Sequence, residues 1–184
     1  MDWYRIRHTI GMYLCSTAIK RAEYIKKHGV FYHMGDNCMT MFRKIPLYPK
    51  LISFGDNVWV ASGVTFVTHD VIHRMLNNCN IDEEFKENIG CIDIKNNVFI
   101  GSNTTLLSNI TIGENTIIGA GSLVNKSLSG NGVYGGVPAK YICSFDSFIE
   151  KRKRMNRIKI KKSPYGLQDE TVFECWNQLR KMGQ

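Results

Sequence analysis

A six-residue beat constrains this chain more than any other feature. With Phe54 as the first position of a hexad, that position also falls on Tyr48, Val60 and Phe66. After a gap it resumes on Ile94, Ile100, Leu106, Ile112, Ile118 and Val124. The fifth position holds Ile52, Val58 and Val64, then Val98, Thr104, Ile110, Thr116, Ser122 and Leu128. Small residues recur at the second position, as Gly55, Ala61, Gly101, Gly113 and Gly119, and "GDN", "KNN", "GSN", "LSN" and "GEN" punctuate the series. A helix repeats its apolar residues at three- and four-residue steps, and a hairpin strand alternates briefly before turning back. A drift-free period of six fits neither. It fits a short strand followed by a tight turn, with Asn and Gly supplying positive φ and the first-position residue pointing inward. Three such units close one triangular coil, and coils stack as parallel strands ~4.8 Å apart. A sandwich of short strands has no reason to keep ten units in phase. The expected fold is therefore mainly β, a parallel β-helix.

The beat stops once. From Phe66 to Ile94 is 28 residues, which is not a multiple of six, so a loop of roughly 70–90 is inserted. Long loops in compact repeats are usually functional. The first residues past the break are Thr68, His69 and Asp70, with His73 close behind. Imidazole titrates near neutrality and suits proton transfer, so His69 is the candidate general base. Asp70 and His73 are candidates for orienting it or touching substrate. Adjacent strand residues point to opposite faces, which weighs against Asp70. The acidic group Asp82, Glu83, Glu84 and Glu87 reads as a solvated loop face, and His8, His28 and His33 read as structural.

Hydrophobic residues make up 43% of the 184-residue chain, enough for a core in one domain with additions at its ends. No apolar run approaches the ~18–20 residues of a membrane span, and the N-terminus lacks the h-region of a signal peptide. The six cysteines are scattered without a CxxC pair, so a zinc site is not expected. Free thiols and a cytoplasmic location are expected. The net charge of +8 equals the charge of one segment, residues 151–162, which carries eight basic residues and no acid. No aromatic platform accompanies it, so nucleic acid is not the expected partner. It reads as a solvated helix face.

The ending "IGAGSLVNKSLSGNGVYGGVPAKYI" is more specific than the hexads. Together with residues 52–142 it resembles the hexapeptide-repeat acyltransferases, in particular their galactoside, maltose and polysaccharide O-acetyltransferase branch. The resemblance implies a left-handed β-helix. The general rule for parallel connections would have favoured the right hand. It further implies a homotrimer, acetyl-CoA as co-substrate, no metal, and a saccharide hydroxyl as acceptor. The family's base follows the same repeat at the loop entry, which His69 matches. Its pantetheine and nucleotide contacts map onto Ser102, Ala120, Asn125, Lys126 and Lys140. Asn125 departs from the hydroxyl residue usual before that lysine, Phe99 stands where many relatives have Trp, and Gly135 where they often have Ala. Xenobiotic acetylation and a non-catalytic β-helix used for binding or assembly are the alternatives. Carbonic-anhydrase-like β-helices, which hold a metal through three histidines, are disfavoured because only His69 and His73 lie in the β-helix and its loop.

Three segments are expected: an N-terminal helical part (1–30), the β-helix (31–142) and a basic helical extension (143–184). Apolar spacing over 3–28 predicts one amphipathic helix, with Ile6, Ile10, Tyr13, Leu14, Ala18, Ile19, Ala22 and Ile25 facing the open end of the coils. "MGDNCM" at 34–39 reads as a degenerate first repeat before "RKIPLYPK" interrupts. A second helix, "DETVFECWNQLRKM", is expected near the C-terminus.

Overall fold

A computed structural model describes residues 3–79, 81–155, 158–164 and 166–182. The repeat appears as short strands distributed among three sheets. These are β1 (His33–Met34), β2 (Met39–Thr40), β3 (Ile52–Phe54), β4 (Val58–Val60), β5 (Thr65–Phe66), β6 (Ile92–Ile94), β7 (Val98–Ile100), β8 (Thr105–Leu106), β9 (Ile110–Ile112), β10 (Thr116–Ile118), β11 (Leu123–Val124), β12 (Gly132–Gly135) and β13 (Lys140–Ser144). Sheet one runs β1-β3-β6-β9, sheet two β2-β4-β7-β10-β12-β13, and sheet three β5-β8-β11. All pairings are parallel except β12 with β13. The three complete coils, β3–β5, β6–β8 and β9–β11, each contribute one strand to each sheet. The degenerate first repeat is real on two faces: β1 pairs with β3 and β2 with β4.

Register shows the insertion directly. Ile92 lies opposite Ile110, 18 residues on, which is three hexads. Ile52 lies opposite Ile92, 40 residues on. The additional 22 residues enter between β5 and β6.

The inward residues are those of the beat. Phe54, Val60, Ile94, Ile100, Leu106, Ile112, Ile118 and Val124 are fully buried in one core, with Phe66 beside them. Fifth-position Thr104, Thr116 and Ser122 are buried too. Their hydroxyls donate to the carbonyls of Gly119, Gly113 and Gly119 respectively, so burial leaves no unpaired donor. Tyr48 is the exception. Expected to point inward, it is 37% exposed and sits in the left-handed region with φ 51°. The following Pro49 begins a 3₁₀ turn there, and the hexad phase is lost.

The corner between sheets one and two is made by asparagines. Asn57, Asn97, Asn115 and Asn131 all have positive φ. Their side chains form a ladder: Nδ2 of Asn57 donates to Oδ1 of Asn97, Asn97 to Asn115, and Asn115 to Asn131, at 2.9–3.0 Å. At Gly101 the coils approach closely, and a Cβ there would lie 2.4 Å from the backbone N of Ala120.

The N-terminal part corrects the single-helix expectation. Two helices are present, α1 (Trp3–Leu14) and α2 (Ala18–Lys27). Thr17 starts the second, its hydroxyl accepting from the Lys20 amide at 3.1 Å. The interruption rephases the buried stripe onto His8 and Met12 of α1 and Arg21, Ala22 and Ile25 of α2, and leaves Ile10, Tyr13, Leu14 and Ile19 exposed. Arg21 crosses to β2, its Nε donating to the Thr40 carbonyl at 2.9 Å. His8 meets the Tyr24 hydroxyl through Nδ1 at 3.1 Å, and burial together with Arg7 and His28 lowers its pKa.

Met1–Phe148 is one compact unit and Ile149–Gln184 a second. The second holds most of α4 (Phe145–Arg154), a short antiparallel pair β14 (Lys162–Ser163) and β15 (Gly166–Leu167), and α5 (Asp169–Met182). Among the described residues of the basic segment, 151–154 are helical. Arg157 lies outside the described residues, and 158–161 are irregular. The expected solvated helix face therefore shrinks to one turn. Among the described residues no helix is long and apolar enough to cross a membrane, and no cluster could hold a metal ion.

Candidate active site

The chain leaves the coil at Val67, whose amide still donates to Leu106 O. The next three residues pair instead with the returning end of the loop. His69 bridges Ile89 antiparallel, the Gly90 amide donates to Thr68 O at 2.8 Å, and the Asp70 amide donates to Asn88 O at 3.0 Å. Thr68 is fully buried and its hydroxyl donates to Leu47 O at 2.7 Å. The root is thus a two-stranded clamp on a packed base, and His69 is fixed at its centre.

His69 is half-buried. Its Nδ1 is buried and has no hydrogen-bond partner among the described residues; the same holds for Nδ1 of His73. The Tyr48 ring meets the His69 ring edge-to-face, centroids 5.3 Å apart at 77°. The Tyr48 hydroxyl donates to both carboxylate oxygens of Glu87, at 3.0 and 3.1 Å. That contact pushes the phenol's pKa up.

Asp70 stands between the two histidines in sequence but spends its carboxylate elsewhere. Oδ1 accepts from the Ile72 amide, opening the short helix α3 (Ile72–Leu76), and Oδ2 accepts from Asn88 Nδ2, both at 3.0 Å. The Asn88 and Ile72 hydrogen bonds hold the Asp70 pKa down, with the nearby His73 and His69 adding to the effect. Asn77 closes the loop further, exchanging two hydrogen bonds with the Phe85 backbone at 2.8 and 2.9 Å.

The residues matched to an acyl donor flank sheet three on both sides. Ser102 and Ala120 occupy the corner between sheets two and three, where the Gly121 amide donates to Ser102 O at 2.8 Å. Asn125 and Lys126 follow β11 at the corner from which His69 also departs. Both are exposed, and Asn125 lies two coils, ~10 Å, along the stack from Val67. Lys140 opens β13 after the turn that contains the cis Val137–Pro138 peptide, and Ala139 N of that turn donates to Leu123 O at 2.8 Å. Within one chain Ser102 and His69 are therefore at opposite ends of the third sheet.

Sequence reasoning missed Tyr48 and Glu87. One was assigned to the core and the other to a solvated face. The available signal was "LYP", where a proline follows the hexad position and, lacking an N–H, cannot donate to a strand ladder.

Three comparisons bear on this arrangement. Residues 92–126 match the bacterial transferase hexapeptide (six repeats). Protein CapG of Staphylococcus aureus is 39% identical over 135 residues, 69% of this chain and 73% of CapG. Galactoside O-acetyltransferase of Escherichia coli (strain K12) is 36% identical over 116 residues, 62% of this chain; the chain thus spans about half of that relative's length, 55%. A solved galactoside acetyltransferase in complex with coenzyme A superimposes with a TM-score of 0.52 at 26% identity, covering 86% of this chain and 88% of that one. With nine hexads whose first residue is buried, parallel strands on three faces and a CapG match over more than two thirds of both chains, this chain belongs to the bacterial hexapeptide-repeat transferase family.

Proposed function

We propose that this protein is an acetyl-CoA-dependent O-acetyltransferase that transfers an acetyl group to a hydroxyl of a saccharide or polysaccharide precursor, with His69 as general base. The carrying observation is the position of His69, half-buried and clamped where the coil opens into the loop. The imidazole takes the acceptor's proton as its oxygen attacks the thioester carbonyl. When the C–S bond breaks, the same proton goes to the leaving thiolate. Backbone N–H groups of the coil are available for the oxyanion. We assign His73 to contact with the acceptor, and Asp70 to shaping the loop root through Ile72 and Asn88.

The donor is assigned to sheet three and its corners. Ser102 and Ala120 present small side chains beside backbone amides, which suits an extended pantetheine arm held like an added strand. Exposed Asn125, Lys126 and Lys140 supply polar and cationic groups for its phosphates. Because Ser102 and His69 lie at opposite ends of that sheet, a complete site is best formed between copies, which supports a homotrimer. We assign the coil a left hand, the hand implied by the family resemblance. Six free cysteines fit a reducing, cytoplasmic setting.

The test is thiol release from acetyl-CoA with a panel of sugars, amino sugars and chloramphenicol, comparing wild type with His69→Ala. Sugar-dependent release that falls about 10²–10⁴-fold in the variant supports the reading. Release only with chloramphenicol moves the acceptor to xenobiotics. Release that survives the substitution refutes the base. No release, and no acetyl-CoA binding by calorimetry, leaves a non-catalytic scaffold.

A further inference from the structure

We propose that Tyr48 is the positioning residue of the His69 imidazole, and that Glu87 anchors Tyr48 in that role. The inference rests on the reading of His69 as the base.

A general base must present one nitrogen in a fixed direction, and the usual device is a hydrogen bond from the other ring nitrogen to a carbonyl or carboxylate. Nδ1 of His69 has no such partner among the described residues. The adjacent carboxylate, Asp70, is engaged by Ile72 and Asn88. What meets the ring is Tyr48, in the edge-to-face arrangement that aromatic pairs favour.

Tyr48 is itself held unusually firmly. Every other non-glycine residue with positive φ among the described residues is an asparagine. A bulky aromatic in that region is an outlier that persists only where its surroundings over-determine it, and such residues cluster at functional sites. Here the surroundings act from three directions. The Leu51 amide donates to Tyr48 O at 2.9 Å. The Thr68 hydroxyl ties Leu47 to the residue before His69. Glu87 receives the phenol from the returning arm of the loop. Glu87 lies two residues before Ile89, the bridge partner of His69. One closed loop root therefore sets both rings.

The test uses variants that separate ring, hydroxyl and backbone. Tyr48→Asn tolerates the left-handed backbone but has no ring, and Tyr48→Phe keeps the ring without the hydroxyl. In Tyr48→Asn, kcat for acetyl transfer is expected to fall about 10²-fold, as for a misplaced catalytic group. The KM for acetyl-CoA should stay unchanged and the melting temperature should not fall. Tyr48→Phe keeps the ring contact and loses the Glu87 anchor, so its kcat should fall by about fivefold, less than in Tyr48→Asn. Proton NMR of His69 should show one fixed ring orientation, marked by the ring-current shift from the neighbouring aromatic, in wild type and Tyr48→Phe, and an averaged orientation in Tyr48→Asn. Wild-type kcat with a single ring orientation in Tyr48→Asn overturns the inference; so does equal loss in both variants in parallel with melting temperature. His69→Ala, assayed alongside, isolates the underlying reading. If release survives that substitution, the base assignment fails, and the NMR comparison alone decides whether Tyr48 holds the ring.

Discussion

Two corners of the coil use the same left-handed backbone and use it differently. Between sheets one and two, Asn57, Asn97, Asn115 and Asn131 take up positive φ at successive levels. Asparagine visits that region at little cost, and each side chain donates to the next. Nothing but stacking is asked of that corner. Just before the loop's own coil, Tyr48 adopts a similar conformation with no ladder beneath it, ahead of a proline, and with a large ring to place. The first corner is repetitive because only its neighbours above and below matter. The second is singular because it is built around His69 and the loop root. Regularity therefore marks where the fold is held together, and its failure marks where we propose that the chemistry is placed.

Substitutions at the two corners should separate activity from stability. The largest effect belongs to His69→Ala: a loss of about 10²–10⁴ in acetyl transfer, with the melting temperature nearly unchanged because the half-buried ring makes no hydrogen bond that folding depends on. An unfolded variant would erase the contrast. In the core, Ile100→Ala should cost about 2–5 kcal/mol in denaturant unfolding, since it empties a fully buried position between coils. On the ladder, Asn97→Ala should cost about 1–2 kcal/mol, the penalty for placing a Cβ-bearing, non-hydrogen-bonding residue at positive φ. Asn97→Gly should recover part of it, and neither should alter kcat. If Asn97→Ala reduced kcat as much as stability, the division between holding and acting would not survive.

The smallest effect is at Asp70. Hydrogen bonds from Asn88 and the Ile72 amide depress its folded pKa below the unfolded value, which is about 3.9 for an ordinary aspartate. The unfolded chain binds this proton more readily. The stabilisation is therefore complete above the unfolded pKa and is lost as pH falls through the folded one. In a carboxyl-carbon NMR titration, Asn88→Ala should raise the Asp70 midpoint toward the ordinary value. An unmoved midpoint would show that the loop root does not depend on this contact.

Much of the coil was legible because its period is local. A residue six positions on faces the same interior whatever the rest of the chain does, so Phe54, Ile94, Ile100 and Ile118 identify themselves. His69 was legible as the first chemically active residue past the point where the period fails. Other features depended on partners remote in sequence. Glu87 looks like any loop acid until it is seen beneath the Tyr48 hydroxyl, 39 residues away. Asp70 looks like a partner for imidazole until Asn88 is seen to take one of its oxygens. In the N-terminal part, apolar spacing alone runs one uninterrupted helical stripe through Ile10, Leu14 and Ile19. Thr17, a plain capping residue, begins a new helix and turns that stripe to solvent.

The sequence by itself determined the repeat, the inward faces, the place of the interruption and the family, because each is carried by spacing along the chain or by short motifs such as "GVPAK". Only the tertiary structure decided which side chain faces His69, what Asp70 binds, and where the residues proposed for the donor lie around sheet three. Those are contacts between coils and across a loop closure. Their energies depend on distance in space, which a period of six constrains within the stack and leaves open wherever the chain departs from it.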